Sequence, residues 1–296
     1  MPFFRTLATI TMMACTVWVY PQHTSLKEEL LRLIAPHKAQ VGVAVIMEGK
    51  DTVTVHNDYR YPLMSVFKLH QALAVAEWCE ENRHPLDTLI YLRAQDLKPH
   101  TYSPLRDKYP TGNISISIKE LLEYTLKLSD NNACDILFGL TGGTAATEAY
   151  IRSLGLKHFA IRATEDEMHR DSRYYASNWS TPLEAARLVE ILCTRKLFDK
   201  EKQDFIKQTM TEARTGLHRL AQPLEITNAI IGHKTGTGDP NSRGELTGIN
   251  DVGFVYLPNG RRYSIAVLVA WSAEDMAHTE QIIADISQAV FNYMTK

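Results

Sequence analysis

Strand-like sequence stands at both ends of this chain and helix-like sequence fills the middle, an order that constrains the fold more than any single motif. Near the N-terminus, Val41-Gly42-Val43-Ala44-Val45-Ile46-Met47, Glu48-Gly49-Lys50 and Asp51-Thr52-Val53-Thr54-Val55-His56 read as two strands joined by a tight turn. Strand patterning returns near Ile230 and runs through Val252 to Leu257 and Tyr263 to Trp271, the last two joined by Pro258-Asn259-Gly260. Between them, from Ser65 to about Gln203, apolar residues recur at helical spacing, as in Phe67, Leu69, Leu73 and Ala76, or Ile118, Leu121, Leu122, Thr125 and Leu126. With no repeat and no Pro/Gly/Ser linker to separate domains, the two sets of strands imply one antiparallel sheet assembled from the termini.

Helices flank that sheet. Ser25 is placed as an N-cap with Glu28 three residues on, ahead of Leu26, Leu30, Leu31 and Ile34. The last segment sets Ile282, Ile283, Ile286, Val290 and Tyr293 on one stripe. The expected class is therefore α/β of the α+β type, with a central all-helical subdomain. One domain spans 22–296, in which 22–61 and 215–296 form the sheet part and 62–214 the helical part.

Arg5 followed by an apolar run from Leu7 to Tyr20 describes an export signal over 1–21, with no stable membrane insertion once it is removed. Ala14-Cys15 offers lipid attachment as an alternative to simple cleavage, so the protein is expected to be exported and periplasmic. The other cysteines, Cys79, Cys134 and Cys193, lie in apolar helical contexts without metal-ligand spacing, and read as buried free thiols rather than a zinc site. With 32 Lys+Arg against 34 Asp+Glu, the chain has no charge footprint for nucleic acid. A monomer without metal or organic cofactor is expected.

Ser65-Val66-Phe67-Lys68 sets a hydroxyl and an amine one helical turn apart at the start of the helical block. A serine attacks at neutral pH only if a base takes its proton, and a lysine serves when its surroundings lower its pKa. Ser129-Asp130-Asn131 follows the amphipathic helix ending at Leu128. Lys234-Thr235-Gly236-Thr237-Gly238 follows the strand-like Ile230-Ile231, and Glu165 lies in a long stretch, Ala163 to Thr181, without regular periodicity. Each alone is an ordinary cap, strand end or loop acid; together, in this order, they describe a site.

From Ser25 to Met294 the chain resembles the class A serine β-lactamases, whose Ser-x-x-Lys, Ser-Asp-Asn and Lys-Thr-Gly set it carries. The resemblance implies hydrolysis of small-molecule β-lactams, with Ser65 the acylated nucleophile and Lys68 a proton acceptor or relay. Ser129 would pass a proton to the lactam nitrogen, Asn131 bind the acyl-side-chain amide, and Lys234, Thr235 and Thr237 anchor the carboxylate. The N–H groups of Ser65 and Thr237 would form the oxyanion hole, and Glu165 would activate water against the ester. Tyr102 resembles a cleft-wall tyrosine, and Arg219 an extra carboxylate partner, the alternative for each being an exposed surface residue. Residue types leave open whether Lys68 or Glu165 is the base in acylation.

Three departures from the family pattern stand out. His169 occupies the Asn slot of Glu-x-x-aliphatic-Asn, Ala163 stands where many members carry a loop-pinning arginine, and Met64 where carbapenem-hydrolysing members carry a cysteine. Ala163, with Val66-Phe67 and the Met168-His169 ending, resembles the cephalosporinase branch of gut anaerobes and implies a preference for cephalosporins, while Met64 implies negligible carbapenem turnover. A penicillin-binding peptidase or transpeptidase, a β-lactam sensor and a serine glutaminase are the competing readings.

Overall fold

The computed structural model describes residues 25–296; the expected signal at 1–21 and Cys15 lie outside them. Helix α1 (Leu26–Ile34) opens on a capping box, the Ser25 hydroxyl accepting from the Glu28 N–H at 3.3 Å while the Glu28 carboxylate accepts from the Ser25 N–H at 2.9 Å. Strands β1 (Gln40–Met47) and β2 (Asp51–Val55) form the expected hairpin. After β3 (Tyr61–Pro62) a single 3₁₀ turn, Met64–Val66, runs into α2 (Phe67–Glu81).

The middle of the chain contributes β4 (Leu89–Leu92), α3 (Pro104–Lys108), β5 (Ile114–Ser117), α4 (Ile118–Lys127), α5 (Asn131–Thr141) and α6 (Gly143–Ser153). It continues with β6 (Phe159–Ala160), α7 (Glu165–Arg170), β7 (Trp179–Ser180), α8 (Pro182–Thr194) and α9 (Lys200–Thr211). The chain ends with β8 (Ile230–Thr237), β9 (Ile249–Tyr256), β10 (Arg262–Ala270) and α10 (Met276–Thr295).

The main sheet has the order β2-β1-β10-β9-β8, all antiparallel, so strands from the two ends meet where β1 pairs with β10. Helices cover both faces, which is why the central β1 and β10 read as near-continuous apolar runs rather than alternating ones. Along β1, Val41, Val43, Val45 and Met47 pack with α1 and α10 in one core, while Ala44 and Ile46 join Phe67, Leu69 and the helical block in the other. At Gly42 a Cβ would come within 2.5 Å of the Tyr61 ring, so glycine is required for that ring to lie against the strand.

Three expectations change. The central block is helical in bulk but also carries the antiparallel β4–β5 pair and the β3-β7-β6 ribbon, whose strands of two to four residues are too short to show a period. The stretch from Ala163 to Thr181 is not irregular throughout, since its acids are the first turn of α7. Finally, Tyr293 is 40% exposed, and the buried stripe of α10 passes instead through Met294. Among the described residues Cys79, Cys134 and Cys193 are free thiols, the last only partly buried.

Candidate active site

The site lies where the turn into α2, the start of α5, α7 and strand β8 converge. Ser65 and Lys68 share one face of the first turn, with Lys68 Nζ donating to Ser65 Oγ at 3.1 Å. Lys68 is fully buried and is ringed by acceptors: Ser129 O at 2.7 Å, Asn131 Oδ1 at 2.7 Å and Glu165 Oε1 at 2.8 Å. Ser65 Oγ in turn donates to Glu165 Oε1 at 3.2 Å. The Ser65 hydroxyl therefore touches both candidate bases at once.

Ser129 stands in the left-handed region at φ 58°, turning the chain sharply between α4 and α5. Asp130 caps α5, accepting from Ala133 N at 2.8 Å, and also holds Leu105 N at 2.7 Å and Ser103 Oγ at 3.0 Å. Burial pushes its carboxyl above the usual range, against the pull of those bonds. Asn131, freed from capping duty, bridges Lys68 and Thr101, whose Oγ1 accepts from Asn131 Nδ2 at 2.8 Å.

Opposite stands β8. Lys234 Nζ donates to Ser129 Oγ at 3.0 Å and to Thr235 O at 2.7 Å. Complete burial, with the charge of Lys68 nearby, holds its pKa well below that of an ordinary lysine. Gly236 lets the strand lie flush against the turn that carries Ser65, since a Cβ there would meet Leu63 O at 2.4 Å. Thr235 Oγ1 is shared with Thr215 Oγ1 at 2.6 Å.

Arg219 is a buried residue and not a surface one, at 3% exposure. It donates to Thr237 Oγ1 at 2.7 Å and to the carbonyls of Gly236 and Asn250 at 3.0 Å, and pairs with Glu280 at 3.0 Å. It thus backs the strand and orients Thr237 rather than standing open in the cleft. Tyr102 has an exposed ring, and its contribution to the site comes through its carbonyl, which accepts from Asn131 N at 3.1 Å.

The loop that carries Glu165 is held without an arginine at Ala163. Asn178, fully buried, accepts from Arg162 N at 2.7 Å and Ala163 N at 2.9 Å through Oδ1, and donates to Ala163 O at 2.8 Å. Asp135, on α5, accepts from Glu165 N at 2.9 Å and Asp166 N at 2.8 Å, a cap supplied from a neighbouring helix. Burial raises its pKa to about 7, opposed by those two backbone bonds. Thr164 and Glu167 complete a capping box, which accounts for one of the three crowded acids.

The open space above Ser65, about 120 Å³, is bounded by Asn131, Glu165, His169, Tyr175 and Thr237, with Lys68 and Lys234 beneath it. His169 lines it with its side chain exposed. Asn178 and Asp135 escaped the sequence reading. Asn178 holds backbone N–H and C=O groups, with the Met168 sulfur its one side-chain partner, which leaves no pairing signal, but an acid inside the apolar Ala133-Cys134-Asp135-Ile136-Leu137 was a readable one.

An antiparallel sheet joined to a helical block, with a serine, two buried lysines and a carboxylate at their seam, defines a serine acyl-transfer enzyme of the class A β-lactamase architecture. The pattern of the beta-lactamase enzyme family matches residues 25–294, and the chain belongs to that family, hydrolases of the β-lactam amide that use a serine nucleophile. A Bacteroides uniformis protein named beta-lactamase is 38% identical over 291 residues, covering 97% of this chain and 98% of the relative. A class A β-lactamase crystal structure from Bacteroides cellulosilyticus, 42% identical, matches with TM-score 0.88 over 91% of this chain and 96% of that one. The crystal structure of the TLA-3 extended-spectrum β-lactamase, 38% identical, matches with TM-score 0.89 over 92% and 98%.

Proposed function

We propose that the protein hydrolyses β-lactams through an acyl-enzyme on Ser65 and releases it with water activated by Glu165. The observation that carries this is the placing of Glu165 Oε1 within 3.2 Å of Ser65 Oγ and 2.8 Å of Lys68 Nζ. Ser65 Oγ attacks the lactam carbonyl carbon, the N–H groups of Ser65 and Thr237 hold the oxyanion, and the C–N bond breaks as Ser129 passes a proton to nitrogen. Water, deprotonated by Glu165, then attacks the ester and Ser65 leaves with the proton. Lys68 faces three acceptors, Ser129 O, Asn131 Oδ1 and Glu165 Oε1, which favours Lys68 as a donor and Glu165 as the group that takes the serine proton during acylation.

Lys234, Thr235 and Thr237 bind the substrate carboxylate, with Arg219 acting through Thr237 and Tyr102 at the cleft edge. Asn131 binds the amide of the acyl side chain, for which it must give up its bond to Thr101. The residues around Glu165, namely Ala163, Met168 and His169, support a preference for cephalosporins, exercised by a monomer after export.

The test is turnover of a chromogenic cephalosporin by purified protein. Many product equivalents per enzyme are expected, with kcat/KM above that for benzylpenicillin. Glu165→Ala is expected to give one equivalent and then stall, retaining the acyl mass on Ser65, with deacylation slowed about 10²- to 10⁴-fold. A wild-type burst of a single equivalent would refute hydrolysis and favour a peptidase or sensor.

A further inference from the structure

We propose that Asn250 is a positioning residue for acylation, whose carboxamide holds the Met64–Ser65 peptide so that the Ser65 N–H faces the reacting carbonyl; the inference rests on the Ser65 reading above. Met64 has a φ of 46°, a left-handed conformation that a long side chain keeps only where its surroundings over-determine it. Because the peptide is planar, the direction of the Ser65 N–H is fixed by the torsions of Met64. The oxyanion donor is therefore only as well aimed as that strained residue.

Asn250 supplies the restraint. It is fully buried in β9, and its Nδ2 donates both protons toward the nucleophile's turn, to Pro62 O at 2.8 Å and Leu63 O at 3.1 Å, while Oδ1 accepts from Val269 N at 3.1 Å. Leu63 is gripped at its other end by Asn178, whose carbonyl accepts from Leu63 N at 2.8 Å, and Leu63 O also accepts from Val66 N at 3.1 Å. The residue before Met64 is thus fixed at both its N–H and its C=O, and Met64 takes up the remaining bend.

The same asparagine couples this turn to the other oxyanion donor. Asn250 pairs in register with Gly236, the neighbour of Thr237, and Arg219 donates to the carbonyls of both at 3.0 Å. Gly236 sits so close that a Cβ would lie 3.2 Å from Ser65 N. One residue therefore sets the spacing between the N–H of Ser65 and the strand that carries Thr237.

Asn250→Asp preserves shape and the bond from Val269 N but turns a two-proton donor into a carboxylate facing two carbonyls; Asn250→Ser, which keeps one donor, serves if the first variant does not fold. Each would be assayed well below its own melting temperature for the acylation rate by stopped flow and for inhibition by phenylboronic acid, whose boron takes the Ser65 Oγ lone pair to give a tetrahedral anion as the serine proton passes to the base. Cephalosporin affinity would be measured in a Ser65→Ala background. A displacement near 1 Å is expected to cost about 10²-fold in acylation rate and a similar factor in boronate affinity, with Ser milder than Asp. The ground-state affinity is expected to change less than about threefold, since Lys234 and Thr235 are untouched. Unchanged boronate affinity, or a ground-state affinity that falls equally, would overturn the proposal. If the wild-type enzyme is not acylated on Ser65, the hydrolase reading falls, and this one with it.

Discussion

Replacing Asn178 by alanine isolates the device that holds the catalytic loop. The substitution removes the acceptor for Arg162 N and Ala163 N and the donor to Ala163 O, and leaves a small void beside Met168, whose sulfur lies 3.6 Å from Nδ2. Ala163 is fully buried, and its N–H and C=O are both orphaned. At roughly 1–3 kcal/mol for each buried group left unpaired, the loss is about 3 kcal/mol. With a urea m-value of about 2–3 kcal/mol/M for a chain of this size, the unfolding midpoint falls by about 1–1.5 M. The same change loosens the segment leading into Glu165, so single-turnover deacylation is expected to slow at least about tenfold while acylation changes less. A stability loss below about 1 kcal/mol, or a normal loss of stability with unchanged deacylation, would refute the claim that Asn178 holds the loop that carries Glu165.

Two further outcomes follow from buried charges. The folded-state pKa of Asp135 is raised to about 7 from an ordinary 3.8, so the folded protein holds that proton more tightly than the unfolded chain. The contribution is present below the unfolded pKa and is lost as pH rises through 7. Asp135→Asn, neutral throughout, should therefore gain on the wild type by about 1 kcal/mol per pH unit between pH 5 and 7, read by urea unfolding at each pH, and a flat difference would exclude the effect. Because the pKa of Lys234 is depressed by burial and by Lys68, its charge is lost at lower pH than for a free lysine, and KM for a carboxylate-bearing β-lactam should climb in that range. Arginine at the same position should shift that rise upward, whereas an identical profile would clear Lys234 of the effect.

The fold was legible where period and capping are strong. The β1–β2 turn, the Ser25–Glu28 box and the three C-terminal strands all stand where apolar runs, capping and turn residues put them, because each is a local consequence of side-chain chemistry and backbone freedom. The short strands around Tyr61, Phe159 and Trp179 were not, since two residues carry no period. In the site, Ser65, Lys68, Ser129, Asn131, Lys234 and Glu165 are drawn together from segments far apart in sequence, and their motifs were visible because each chemistry needs a particular side chain. What holds them was not visible. Asn178, Asp135 and Asn250 bind backbone atoms, any residue's backbone offers the same atoms, and so the sequence around their partners bears no mark of the contact; only Asp135 itself stood out, as an acid in an apolar run. Arg219 was legible as an arginine but not as a buried one, its four partners being two carbonyls, a hydroxyl and Glu280 on the last helix.

The pairing of β1 with β10 has a consequence in time. Gln40 finds its partner in Ala270, so the sheet cannot close until nearly the whole chain is available, and every residue of the catalytic cleft lies inside that span. Closing so long a loop costs little more free energy than closing a moderate one, but contacts of such separation form slowly. A partly emerged chain can build helices early while its seam stays open, so recovered activity dates the last long-range pairing rather than the first collapse.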